Sequence, residues 1–240
     1  VATIPEAVWM IGTIKDKGPD QSGKWAIVNM PKLDGIDGAT NYANCGGASW
    51  AVSSNCKNTE LAFDFLKIAI SELANVAERR TERLVNPAMS EGLPAFLVKD
   101  GGLNNGFMIA QYAAASMVSE NKVYDHPACV DSIPTSANQE DHVSMGATSA
   151  RTAAMVLDNA QKVIGIELAA AAQAIWLRQE MGEHGIDNLA PATRAAYDFI
   201  RSKAEPVEKD ILMIDYLAKF DEMVKDHSIL EAVTKVADLK

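Results

Sequence analysis

Between His126 and Met145 the chain reads HPACVDSIPTSANQEDHVSM, a stretch whose residue types and spacing are suited to chemistry. Two neighbouring acids, Glu140 and Asp141, follow Gln139 and precede His142. A glutamate presented to a cleft can hold an amine or move a proton. The same residues also fit a purely structural role. Pro127 and Pro134 forbid a continuous helix, and Ser136 with Gln139 three positions later fits a capping box. On that reading a loop ends in a well-capped helix, with Glu140 and Asp141 in its first turn complementing the helix dipole. The residues alone leave both readings open.

Other constellations offer less. His126 and Cys129 form a lone pair of possible metal ligands, while His142, His184 and His227 lie far away and no HExxH occurs, so no metal site is expected. Gly101-Gly102 with Gly106 lacks the GxGxxG spacing and a preceding strand, which predicts a turn rather than a phosphate cradle. No GxSxG elbow is present. Cys45, Cys56 and Cys129 show no CxxC spacing, so neither a disulfide framework nor a zinc ribbon is indicated, and a reducing cytoplasm is the expected location. The net charge of −10 argues against nucleic-acid binding, which needs clustered Lys and Arg. No apolar run reaches the ~18–20 residues of a membrane span, and no basic, then apolar, leader opens the chain. The first residue is Val, which suggests a processed, cloned or truncated start.

The elements that must carry these residues fall into two habits. To about Lys67 the chain is rich in Gly, Asn and Trp, with short apolar runs between turn signals. Lys24–Met30 and Trp50–Ser53 read as strands and Leu61–Ile68 as an amphipathic helix, which is α/β behaviour. Beyond residue 69 Ala-rich segments of helical period dominate. Helices are predicted over Gly106–Glu120 and Gly146–Arg178, the second apolar on nearly all sides and therefore buried among other helices. Pro191 and Pro206 sit where first-turn prolines are tolerated, and Val207, Ile211, Ile214 and Leu217 keep the stripe of an outer helix. The charged run Ala77–Arg83 reads as a solvated helix face with Arg79 and Glu82 paired. The expected fold is mainly α, a long-helix bundle over 69–240 with a small α/β fragment over 1–68.

Several motifs in the second part resemble one family. Val130-Asp131-Ser132-Ile133-Pro134 and Asn138-Gln139-Glu140-Asp141-His142 look like the signature of histidine ammonia-lyases. So do Glu78-Arg79-Arg80, Leu93-Pro94-Ala95-Phe96-Leu97, Gly102-Leu103-Asn104, Gly106-Phe107-Met108-Ile109-Ala110-Gln111 and Ser119-Glu120-Asn121-Lys122, in family order. The resemblance implies conversion of L-histidine to urocanate and ammonia in a cytoplasmic homotetramer of long helices. It implies Glu140 as the active-site glutamate that holds the substrate amine or moves protons, Met108 at the border of the imidazole pocket, and Gln139 as a polar wall. The family's electrophile is a methylidene-imidazolone made from an internal Ala-Ser-Gly. No Ala-Ser-Gly occurs in the 240 residues; Ala48-Ser49-Trp50 is the nearest string. No cofactor is therefore expected in this chain, nor activity of the chain alone.

The first part resembles something else. Val8-Trp9-Met10-Ile11-Gly12-Thr13, Pro19 to Trp25, Met30-Pro31-Lys32 and Gly46 to Val52 are similar to the sugar-binding proteins of ABC importers. That resemblance implies Trp9 and Trp50 as stacking surfaces for a pyranose, against an alternative in which both are core residues. The join is expected near Lys67–Ser71, as a fusion of two fragments. Beside the lyase reading stand a carbohydrate-binding module and a ligand-free helical scaffold that oligomerises through apolar faces.

Overall fold

Between Thr59 and Val85 the sequence holds no Pro or Gly, and apolar residues recur every three to four positions, so nothing interrupts a helix. The computed structural model describes residues 58–183 and 188–238, and there this stretch is one 27-residue helix, α1 (Thr59–Val85). The expected helix over Leu61–Ile68 is its first part, and α1 crosses position 68/69 without a break. The strands expected upstream lie outside the described residues. Asn86 closes the C-terminal end, donating to Glu82 and accepting from the amide of Ala88, ahead of the next turn.

A tightly turned connection follows, holding a short 3₁₀ turn at Ala95–Leu97 and leading into α2 (Met108–Tyr124). Small residues line the inner side of α2: Ala110 and Ala114 are buried with Val118 and Asn121, at helical spacing. The 35-residue α3 (Gly146–Glu180) is the spine of the bundle. From Val163 onward it is enclosed almost all round, as its composition predicts, whereas Leu157 in its first half stays exposed. Gly165 lets α3 come close to its neighbour: a Cβ there would lie 3.3 Å from backbone atoms of Phe220 and Asp221.

The remaining elements are α4 (Pro191–Lys203), α5 (Met213–Lys225) and the short α6 (Ser228–Thr234). Pro191 takes the first helical position as expected. Pro206 does not: it lies in the extended connection before α5, which begins only at Met213. The predicted stripe is displaced accordingly. Ile211 and Ile214 are exposed, and Tyr216, Phe220 and Met223 face the core instead. Propensity allowed a helix from Pro206, but burial of Val207 in the core holds the connection extended. Tyr216 meets Phe107 edge-on, with ring centroids 6.3 Å apart, and tilts against Phe220 at 5.3 Å.

The main contacts run α3 to α2, α3 to α5, and α4 to α6, giving a helical bundle. Among the described residues no sheet forms; the two β-bridges, Gly101–Asn104 and Thr135–Glu140, are isolated. The charged run on α1 is a solvated face only in part: Arg79, Arg80 and Arg83 are exposed. Glu78 and Thr81 are buried. Arg79 lies on Glu78 rather than on Glu82, Glu78 also accepts from Gln111 of α2, and Arg80 reaches Glu167 of α3. Gln173 ties distant connections to the spine. Fully buried, it donates to the carbonyls of Leu97 at 3.1 Å and Val207 at 2.7 Å, and accepts from the amide of Val207 at 3.0 Å.

Candidate functional site

The segment from Asp125 to Met145 links α2 to α3 as a loop carrying two single turns, Ala128–Val130 and Ser136–Asn138. The capping box expected from Ser136 and Gln139 does not form. Thr135 and Glu140 instead close a narrow bridge, with the Thr135 amide donating to the Glu140 carbonyl at 2.9 Å and the Glu140 amide to the Thr135 carbonyl at 3.3 Å. Inside it Ser136, Ala137 and Asn138 all have left-handed backbones, φ 54°, 54° and 66°. Each such L-residue costs ~1–2 kcal/mol, which is tolerated only where surrounding contacts fix the path. A second closure lies just outside it, where the Val143 amide donates to the Ser132 hydroxyl at 2.9 Å. The helix starts only at Gly146.

This geometry puts Gln139 and Glu140 on the tip of the loop with both residues exposed. The Thr135 hydroxyl donates to the Glu140 carboxylate at 3.3 Å. Met108, the first residue of α2, is half-buried at the end of a different connection. Among the described residues no hydrogen bond joins Met108 to the Gln139–Glu140 pair. The cleft between the 92–101 connection and the C-terminal end of α3 is lined by residues including Pro94, Val98, Lys99, Leu177 and Met181, and by none of the three. Trp9 and Trp50 lie outside the described residues.

The connection that ends at Met108 is set by its own polar contacts. The Asp210 carboxylate accepts from the amides of Asn105 and Gly106, at 2.8 and 2.9 Å, and from the Asn105 side chain. Those backbone N–H groups hold its carboxyl below the usual range. Gly101, Gly102 and Gly106 therefore form a turn, as their spacing predicts.

Sequence reasoning missed a set of polar residues on α1 that hold the ends of the loop. Asp64 and Lys67 form an ion pair at 2.7 Å, with side chains only 2% and 1% exposed. Lys67 also donates to the His126 carbonyl at 2.8 Å and to Thr152 of α3 at 3.4 Å. Asp64 accepts the amide of Cys129 at 3.1 Å. Burial works against ionising Asp64, but the Lys67 ammonium and the amides of Cys129 and Ala128 outweigh it and hold the carboxyl down at about 2. The Asp64 carboxylate in turn pushes the Cys129 thiol up. Ser71 donates to Asp125 at 2.7 Å, and burial raises the Asp125 carboxyl. At the other end Glu60 accepts the amide of Met145 at 3.0 Å and the hydroxyl of Ser144 at 2.9 Å. The signal was present: Asp64 and Lys67 are the only charges in LAFDFLKIAI, and they stand at i, i+3.

Comparison with known proteins falls on the same part of the chain. The family model described as aromatic amino acid lyase matches residues 54–202. Histidine ammonia-lyase 1 of Fusobacterium nucleatum is 55% identical over 175 residues, 73% of this chain and 33% of that protein. The histidine ammonia-lyase of Alkaliphilus metalliredigens is 55% identical over 179 residues, 75% of this chain and 34% of its own length. Among solved structures, the histidine ammonia-lyase of Trypanosoma cruzi superposes with a TM-score of 0.68 at 44% identity, over 75% of this chain and 34% of that one. Tyrosine aminomutase from Streptomyces globisporus superposes with a TM-score of 0.70 at 36% identity, over 75% and 34%. The chain thus spans about a third of the length of the curated relatives it matches.

Proposed function

The chain belongs to the aromatic amino acid lyase family, and from that premise we propose that residues 59–240 are the C-terminal part of a histidine ammonia-lyase, a C–N lyase acting on L-histidine. The observation that carries this reading is the 55% identity to histidine ammonia-lyases over a segment that includes both GFMIAQ and NQEDH. Glu140 holds the substrate amine or moves a proton, Gln139 forms a polar wall, and Met108 borders the imidazole ring. An exposed carboxylate on a loop tip and a half-buried methionine at a helix start suit those roles once further chain or a second copy closes over them. The family uses a self-made methylidene-imidazolone as electrophile. Its Ala-Ser-Gly precursor does not occur in these 240 residues, so the electrophile would be supplied by another part of the enzyme, with Glu140, Gln139 and Met108 facing it. The 240 residues by themselves are expected to show no turnover.

We assign the protein to the cytoplasm, on its three cysteines without pairing pattern, and to a homo-oligomer built through helical faces. Residues ahead of the family match form a separate fragment in this proposal. The unbroken α1 and the match beginning at residue 54 favour a junction upstream of residue 59 over one at 68/69. The test is to graft residues 59–240 onto the remaining length of an active histidine ammonia-lyase. Urocanate formation from histidine is expected in the graft and not in the isolated chain. Glu140→Gln in the graft should lower kcat by roughly a hundredfold or more, the contribution of a positioned acid–base group. Near-normal turnover in that variant would refute the role of Glu140.

A further inference from the structure

We infer that Glu60, Asp64, Lys67 and Ser71, which share one face of α1, are positioning residues that clamp both ends of the loop bearing Gln139 and Glu140. Their spacing of four, three and four residues stacks them along one side of the helix. Each reaches the loop or its edge. Ser71 takes Asp125, Lys67 takes the carbonyl of His126, and Asp64 takes the amide of Cys129. Glu60 takes Ser144 and the amide of Met145, at the start of α3. Lys67 also bonds Thr152, so the clamp fixes the loop to α3 as well as to α1.

Two features separate this arrangement from ordinary packing. Burying both Asp64 and Lys67 is costly, and a well-packed apolar pair would serve stability as well or better. Their polar atoms are instead directed at main-chain groups, which report the path of the loop whatever its side chains are. The strained turn at Ser136–Asn138 also needs its surroundings to fix it, and the loop between Val130 and Val143 is mostly exposed. Besides its own closures at Thr135–Glu140 and Ser132–Val143, contacts at its two ends tie it to α1. A misplacement of about 1 Å in a reacting group is enough to lower a rate severely. The importance of the clamp for chemistry rests on the assignment of Glu140 above; the clamp itself does not.

Hydrogen–deuterium exchange read by mass spectrometry on the full chain tests it. Glu60→Ala should accelerate exchange of the amides over 139–146 by about tenfold or more, the loss of a hydrogen bond to a charged acceptor, while α4 and α5 keep their protection. Glu60→Gln keeps an acceptor oxygen for the Met145 amide and should restore most of that protection. At the other end, Asp64→Asn should speed alkylation of Cys129, followed on its own peptide, because the carboxylate that suppresses the thiolate is gone. Unchanged exchange over 139–146 in Glu60→Ala would overturn the clamp, as would equal acceleration in every helix, which marks a general loss of stability. Glu60 is near the surface, so this arm survives if the Asp64 variant fails to fold. Urocanate formation by the graft tests the lyase assignment separately, so either idea can fail while the other stands.

Discussion

Gly106 sits at a φ of +51°, and a Cβ on it would lie 2.5 Å from the Phe96 carbonyl oxygen and 2.7 Å from Cβ of Val98. Its amide and that of Asn105 bind Asp210, so the backbone cannot turn aside without losing those bonds. Two costs add: a left-handed L-residue at ~1–2 kcal/mol and overpacking at ~1–3 kcal/mol. Gly106→Ala is therefore expected to lower stability by roughly 2–5 kcal/mol, read from urea unfolding. Gly92 is the control, since its φ is +96° but its Cβ would meet nothing within 4 Å. Gly92→Ala should lose only ~1–2 kcal/mol. Equal losses in the two variants would show that the turn before Met108 yields. Charge at this scale follows the same logic: Asp64 and Lys67 tolerate burial because each meets the other and a main-chain group.

The elements are joined by a few polar residues working at a distance. Gln173 on α3 holds the 3₁₀ turn before α2 and the extended connection before α5 at once. Gln173→Leu keeps the volume but leaves the Leu97 and Val207 groups unpaired in the core. A loss of ~1–3 kcal/mol is expected from thermal or urea unfolding. Full stability in that variant would mean the two connections are held by packing alone. Gly165 plays the apolar counterpart, setting how closely α3 and α5 approach. The extended segment around Pro206 follows from these contacts. Val207 is both buried and hydrogen-bonded by Gln173, and continuing a helix through it would break both.

Across the molecule, apolar side chains remain on the outside in a pattern. Leu61, Phe65, Ile68 and Val76 lie along α1 with 56%, 55%, 45% and 42% exposure, and Ile109 and Tyr112 are exposed on α2. Apolar residues repeated along one side of a helix in this way fit a contact face. It underlies the proposed homo-oligomer. Sedimentation velocity over a range of concentrations should show association, and Leu61→Glu should shift it toward monomer with the helical circular dichroism intact. A chain that stays monomeric at high concentration would remove the oligomer from the proposal. The clamp residues Glu60, Asp64 and Lys67 occupy another side of the same helix, so α1 serves the loop on one side and offers apolar surface on the other.

The helices of the second part were legible because periodicity and Ala content are local properties: Gly146–Arg178 was expected and Gly146–Glu180 is found. The family motifs were equally legible, and they nominate Met108, Gln139 and Glu140, whose roles belong to the proposal. The path of the loop was not. Ser136-x-x-Gln139 is a short-range pattern that fits both a capped helix and a left-handed turn. In the fold the turn is closed by Thr135–Glu140 and Ser132–Val143, and the ends of the loop are tied to Glu60, Asp64 and Lys67, whose partners lie 59 to 85 residues away. Likewise Pro206 is tolerated at a helix start, and only burial of Val207 and its bonds to Gln173 keep that segment extended. Sequence specifies what a segment can form through contacts within a few residues. Tertiary structure chooses where an element begins, because the desolvated groups that must be paired come from distant parts of the chain.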